Sequence, residues 1–266
     1  MSTDAPSGFA EFEFDLEGPL FQQIRETMDS VAPVPLSEKE LANIPQRPGV
    51  YLLFHNGQVV YVGKADDRIQ DRLRDHSWTI RGRRGLSLDD MQFKCVCFDH
   101  TWNPFKPEAE LIAHYGTKRG GGWNGGGFGN HDPGIKRGTT KFKAGGFYSR
   151  YPLDDAWVCG SIGAGRYPAL DLLKKVKDAV PFWFRFQGNR SGGEEEDRTR
   201  AEEARRDYDA TVVEVPRDAM TARELLVLIA CSLPGEWQAT ITPSHMLLYK
   251  EVSAVYPKME VVWPVA

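Results

Sequence analysis

The stretch GVYLLFHNGQVVYVG (residues 49–63) sets two runs of β-branched and aromatic residues on either side of His55-Asn56-Gly57. That pattern predicts an antiparallel hairpin, because Gly57 tolerates the left-handed backbone that a tight loop demands. A three-residue loop at 55–57 would set Tyr51 directly opposite Tyr61, with both phenols on one face of the sheet. C-terminal to the hairpin, Ile69 and Leu73 form the apolar stripe of an amphipathic helix over about 67–76. Residues 79–90 read as a basic loop carrying Arg81, Arg83 and Arg84, and MQFKCVCF (91–98) alternates as a third strand. Pro107 then opens a helix over EAELIAHYGT, since proline is tolerated in a first helical turn. The order is β-β-α-β-α, an α+β core.

Outside this core the signals are coarser. Residues 1–46 read as an acidic N-terminal leader with a short helix near Leu20–Met28. The core itself is expected over 47–135, its Gly-rich end (116–135) included, and a C-terminal α+β extension over 136–266. In that extension the sequence predicts a strand near DDAWVCGSI (154–162), a helix near 165–178 and an aromatic strand at PFWFRF (181–186). A charged helix EEEDRTRAEEARRDY (194–208) follows, and Thr221 to Glu224 forms a capping box before LLVLIACSL.

Composition narrows the class. The 266 residues are 41% hydrophobic and 26% charged, which fits a folded chain and not a disordered one. No apolar run approaches the roughly 20 residues that span a bilayer, and MSTDAPSGFAEFEFDLE has no basic segment followed by a hydrophobic one. A cytoplasmic protein is expected. Cys95, Cys97, Cys159 and Cys231 form neither a metal-ligand pattern nor a disulfide framework, so they read as reduced thiols. The net charge is -4, yet it is unevenly spread. Residues 1–17 hold Asp4, Glu11, Glu13, Asp15 and Glu17 with no base. Residues 116–150 hold Lys118, Arg119, Lys136, Arg137, Lys141, Lys143 and Arg150 against Asp132. That asymmetry points to an anionic partner for the second stretch.

Candidate chemistry gathers in the core. Arg72 and His76 stand four residues apart, so one helical face presents both, and an arginine fork suits phosphate oxygens. Glu108 and Glu110 are the two carboxylates in the first turn of the helix opened by Pro107. Leu111, Ile112 and Tyr115 mark the buried stripe of their helix, and Glu108 falls on that stripe whereas Glu110 points away. A carboxylate on an apolar face needs an ion or an arginine, which favours Glu108. Bland readings stand beside these. Strand tyrosines usually just pack, Lys64 fits a solvated lysine as well as a phosphate contact, and Arg81, Arg83 and Arg84 fit DNA contact or simple solubility equally.

The two tripeptides Gly49-Val50-Tyr51 and Tyr61-Val62-Gly63, with the second tyrosine ten residues after the first, resemble the hallmark of the GIY-YIG nuclease superfamily. Arg72, His76, a helical glutamate and Asn124 follow in that superfamily's order. The resemblance implies that Glu108 binds a divalent ion, Mg²⁺ or Mn²⁺, that Tyr51 activates water and that Arg72 steadies the scissile phosphate. It also implies that Tyr61 and His76 complete the hydrogen bonding and that Asn124 shapes the pocket. The phrase GFGNHDPG (127–134), followed by Lys136-Arg137, resembles the type II restriction branch, whose best-known members cut GC-rich palindromes. That branch implies a sequence-specific endonuclease of double-stranded DNA, a homodimer and a cognate DNA methyltransferase in a prokaryotic-type cell. DNA contacts are expected from Lys64, Arg81, Arg83, Arg84, Lys118, Arg119, Lys136 and Arg137. A branched-DNA or repair nuclease of the same superfamily, and a non-catalytic DNA-binding module, are the alternatives.

Overall fold

The computed structural model describes residues 17–98, 107–118, 122–129, 142–188, 195–251 and 259–264. Its first half runs α1 (Glu17–Ser30), β1 (Val34–Pro35), α2 (Glu38–Leu41), β2 (Gly49–His55), β3 (Gln58–Ala65), α3 (Ile69–Arg81), β4 (Met91–Cys97), α4 (Pro107–Tyr115) and the single turn α5 (Phe147–Arg150). The expected β-β-α-β-α order is therefore present as β2-β3-α3-β4-α4. The four strands form one antiparallel sheet in the order β1-β4-β2-β3. Strand β1 comes from within the stretch read as a leader, and Ile24, Met28, Leu36 and Leu41 of that stretch are buried in the core.

Central strand β2 is covered on both sides, which is why Val50 to Phe54 is a continuous apolar run rather than an alternating one. On one face Val50, Leu52 and Val62 pack with Ile24 and Met28 of α1 and Leu111 of α4. The other face sets Tyr51, Leu53 and Tyr61 against Ile69, Leu73 and Ile80 of α3. Ile80 carries the Ile69–Leu73 stripe one turn further than expected, so 79–81 belong to the helix and not to a loop.

The hairpin is tighter than a three-residue loop. Asn56 and Gly57 both adopt positive φ, 51° and 74°, the combination of a two-residue turn whose twist matches the strands. His55 pairs with Gln58, and a bulge between Leu53 and Phe54 shifts the register further along. The result corrects the expected pairing. Tyr51 lies opposite Gly63, and Tyr61 opposite Leu53. Opposed residues share a face and so do residues two apart, so the phenols still meet, diagonally, with ring centroids 6.2 Å apart.

The second half runs β5 (Gly165–Pro168), α6 (Ala169–Ala179), β6 (Trp183–Phe186), α7 (Glu195–Asp209), β7 (Val212–Val215), α8 (Ala222–Ser232), β8 (Gln238–Ile241), β9 (His245–Tyr249) and β10 (Glu260–Trp263). A mixed sheet in the order β10-β8-β9-β6 and a β5-β7 ribbon cover α6 and α8, the mixed α+β arrangement expected. The Thr221–Glu224 capping box is formed and starts α8. Two expectations fail. Residues 154–162 make turns with one isolated bridge, Val158 to Thr221, instead of a strand. Residues 165–168 pair with β7, and the helix starts only at Ala169, after the extended Pro168.

The two halves meet where α3 ends. Asp154 N–H donates to Gly82 O (2.9 Å) and Arg84 N–H to Pro152 O (2.9 Å), while Leu153 N–H donates to Pro243 O (2.9 Å). A Cβ at Gly82 would collide with the Pro181 carbonyl, so glycine permits this close approach.

Candidate active site

The glycines of the two tripeptides make room for the groups beside them. A Cβ at Gly63 would run into the Tyr51 ring, and one at Gly49 into the Val96 carbonyl of the neighbouring strand. Tyr51 therefore lies flat over Gly63, and its hydroxyl reaches 2.7 Å from His76 Nε2. Arg72, one turn before His76, donates to the Gly129 carbonyl at 2.6 Å, and its charge acts on the phenols of both Tyr51 and Tyr61. The i, i+4 pair on α3 thus converges on the tyrosines.

The described part of the Gly-rich segment forms the wall behind them. Asn124 pairs with Val62 through two hydrogen bonds, accepting from its N–H (2.9 Å) and donating to its carbonyl (2.8 Å). Trp123 N–H donates to Val60 O at 2.7 Å, so 123–124 line the free edge of β3 as a further strand would. Phe128 stacks on His76 with centroids 4.6 Å apart. Gly129 sits at φ 76°, where a Cβ would strike the Tyr61 hydroxyl, so this position calls for glycine twice over.

In front of the wall opens a cleft of about 470 Å³, lined by Tyr61, Lys64, Asp66, Asp67, Arg68, Asp71, Arg72, Asp75 and Glu108. It straddles the sheet edge. Arg72 comes from the helix on one face, and Glu108 from the helix on the other. Glu108 is half-buried whereas Glu110 is exposed, as the helical stripe predicted. Burial pushes the Glu108 carboxyl up, Lys64 and Arg72 pull it back, and Asp66 adds to the rise. Carboxylates outnumber cations along this lining, and Lys64 is tied to Asp66 at 2.7 Å. A DNA phosphate entering here meets net negative charge, which a hard cation would offset.

Residues 47–120 match the GIY-YIG catalytic domain. That match indicates a nuclease-type, DNA-cleaving function, and nucleases with this domain generally depend on a divalent metal. No curated protein matches the chain significantly. The donor set at the cleft fits a hard ion. Among the described residues no group of three or more His, Cys, Asp or Glu side chains is arranged to hold a metal. Glu108 would hold it with water and phosphate oxygens completing the shell, as suits Mg²⁺ or Mn²⁺ and not a closed zinc site.

Several sequence-derived roles shift within the domain. Tyr51 is fully buried and does not line the cleft, whereas Tyr61 does. Desolvation pushes the Tyr51 phenol well up, with Tyr61 adding and Arg72 opposing. Tyr61 is raised by burial and by Glu108, against Arg72. His76 is wholly enclosed, and burial followed by Arg72 depresses its imidazole to about 3, so it is neutral and holds Tyr51 rather than a phosphate. Asn124 shapes the wall and does not face the cleft.

Among the basic residues, Arg83 is the clearest correction. It is 3% exposed, and its guanidinium donates to the carbonyls of Thr79 (3.2 Å), Pro243 (3.0 Å) and Ser244 (3.4 Å) beneath the Tyr148 ring. Its donors are spent inside the protein, so it is not placed for DNA. Arg84 is paired with Asp154 and Asp155 at the same seam. Arg81, in the last turn of α3, and Lys118, after α4, are exposed. Arg119, Lys136 and Arg137 lie outside the described residues. Lys143 and Arg150 donate to the carbonyls of Gly125 (2.8 Å) and Gly122 (3.4 Å), so part of the basic stretch braces the Gly-rich wall. The acidic lining of Asp66, Asp67, Asp71 and Asp75 was not anticipated. Its signal was the ADDRIQDRLRD run, in which Asp67, Asp71 and Asp75 recur every four residues.

Proposed function

We propose that the protein is a divalent-metal-dependent endonuclease of double-stranded DNA with type II, sequence-specific character. The observation that carries this reading is the meeting of Arg72, Tyr61 and Glu108, from three elements, in one open cleft. When bound at Glu108, a hard divalent ion supplies positive charge beside the scissile phosphate and cancels the carboxylate charge that raises Tyr61. Arg72 is anchored at one end by the Gly129 carbonyl and offers its remaining donors to the tyrosine hydroxyls and a phosphate oxygen. Tyr61 takes the role the resemblance implied for Tyr51. Tyr61 lines the cleft, and in this reading its hydroxyl orients the attacking water and is the atom at which that water's proton moves, with Arg72 easing the ionisation. Tyr51 and His76 fix Arg72 from behind. Lys64 assists at a neighbouring phosphate once an incoming oxygen displaces Asp66.

The restriction-type reading rests on the GFGNHDPG phrase and the basic residues around it. We assign base reading to the stretch that includes Lys136 and Arg137, and we assign DNA grip or dimerisation to the C-terminal half. A palindromic target then implies a homodimer and a protecting methyltransferase. Plasmid digestion with Mg²⁺ or Mn²⁺, and with chelator, tests the whole reading. Discrete fragments that need the metal support it. A smear favours the repair-type nuclease, and intact plasmid that still shifts on a gel favours a binding module.

A further inference from the structure

The cleft-lining residues of α3 and its N-cap, Arg68, Asp71, Arg72 and Asp75, recur at three- and four-residue steps and so form one ridge. Trp78 and Thr79 are the next residues on that ridge. Trp78 is half-buried and meets Trp183, the first residue of β6, edge to face, with ring centroids 5.5 Å apart and planes at 71°. Strand β6 is an edge strand of the mixed sheet, so each half of the molecule supplies one indole. Trp183 is 36% exposed, which makes the pair a surface patch and not a core contact. Trp157 and Trp237 donate their indole N–H groups to the Ala179 carbonyl (3.0 Å) and the Asp207 carboxylate (3.1 Å). Those of Trp78 and Trp183 have no acceptor among the described residues. Exposed Arg81 stands three residues after Trp78, and Arg185 two after Trp183 on the same face of β6.

We propose, resting on the nuclease reading of the cleft, that the Trp78–Trp183 pair is a second DNA contact, through which both halves hold the duplex that flanks the cut. Continuity with the cleft names the occupant. Six residues of helix separate Trp78 from Arg72, about 9 Å along the axis, or about two to three base pairs at 3.4 Å each. A duplex that places its scissile phosphate at Arg72 and Glu108 and runs along α3 therefore reaches the pair. The chemistry suits a DNA backbone. The indole faces offer apolar area to deoxyribose, their N–H groups can donate to a phosphate oxygen, and Arg81 brings charge to the next phosphate. Such contacts fix the position of a duplex without reading its sequence. Exposed Asp75 lies between Arg72 and Trp78 and repels phosphate there, so the pair is a separate contact and not an extension of the catalytic one.

The test is binding of a fluorescein-labelled duplex of random sequence by the full chain in chelator, beside metal-supported plasmid cleavage by the parent. Trp183→Ala should weaken binding about tenfold at an unchanged unfolding midpoint, and Trp183→Phe, which keeps a ring, should recover most of the loss. Neither should change the salt slope, whereas Arg81→Met should lower it by about one. The duplex should quench the indole emission of the parent more than that of Trp183→Phe. Parent-like affinity in Trp183→Ala, with the parent cutting plasmid, would overturn the proposal and leave the nuclease reading standing. A parent that neither binds nor cuts DNA would overturn both. Conversion of Trp183→Ala from dimer to monomer in DNA-free sedimentation would put a second copy of this chain on the pair instead. Binding loss that only tracks a lowered unfolding midpoint, with no quenching of the parent, would make the pair internal packing.

Discussion

Each half of the molecule buries one histidine beside an arginine, and the two pairs are used differently. His76 and His245 are both enclosed and both depressed to about 3 by desolvation, with Arg72 adding to the first and Arg185 and Arg83 to the second. His76 engages the Tyr51 hydroxyl, and its Arg72 keeps donors turned toward an open cleft. His245 meets Ser244 Oγ through Nδ1 at 2.5 Å and has no partner at Nε2 among the described residues, while Arg83 spends its donors on backbone carbonyls. The lesson is about accounting for donors. An arginine whose fork is saturated by its own protein is a structural strut, and one whose fork is partly free beside an open cleft has donors left for a ligand, which is the role proposed for Arg72.

The comparison can be broken most forcefully by truncating the two arginines. Arg72→Ala should lower plasmid cleavage by roughly 10²–10³-fold while costing little stability, because it removes charge stabilisation at the phosphate. Arg83→Met should do the reverse. It leaves three carbonyls without a donor and should cost about 3 kcal/mol in denaturant unfolding, with cleavage per folded molecule and the salt slope of DNA binding unchanged. A stable Arg83→Met protein whose salt slope drops by about one would return Arg83 to the DNA surface.

Acid should strain both halves. Each buried histidine titrates near 3 when folded and at its ordinary 6.5 when unfolded, so the unfolded chain binds more protons between those values. The stabilisation is complete above 6.5 and is lost as pH falls toward 3. At pH 5 the loss is about 2 kcal/mol for each histidine. His245→Leu should remove one share of this acid sensitivity and leave cleavage intact. His76→Leu should remove the other share and slow cleavage. The rate profile itself should carry no step from His76 near 6.5. The smallest effect is at Lys64, whose charge holds Glu108 down. Lys64→Met should move the acid limb of the rate profile to higher pH by less than about one unit. An unmoved limb would mean that the limb belongs to another group.

Local pattern made the centre of the fold legible. The two hydrophobic runs and Asn56-Gly57 gave the hairpin, and the stripe at Leu111, Ile112 and Tyr115 separated Glu108 from Glu110. Register was harder to read, because Val60 adds a bulge that no residue type announces. The burial of Arg83 was invisible for a different reason. Its partners Pro243 and Ser244 stand 160 residues away, and nothing near Arg83 in sequence distinguishes it from Arg81. Asn124 was found as a position but not as a clamp, since pairing with a backbone leaves no mark on the partner's identity. The 154–162 segment has apolar residues at strand-like spacing, yet it only bridges Thr221, because its neighbours fold into turns at the seam.

The central claim is that Glu108, on the apolar stripe of α4, is the carboxylate that makes this cleft a metal-dependent nuclease site. Glu108→Gln and Glu110→Gln, matched in thermal stability, should be compared in Mg²⁺-supported plasmid cleavage. The account predicts loss of roughly 10³-fold or more at Glu108, and activity within about twofold of the parent at Glu110. Cleavage that survives Glu108→Gln, or falls equally in both variants, would contradict it.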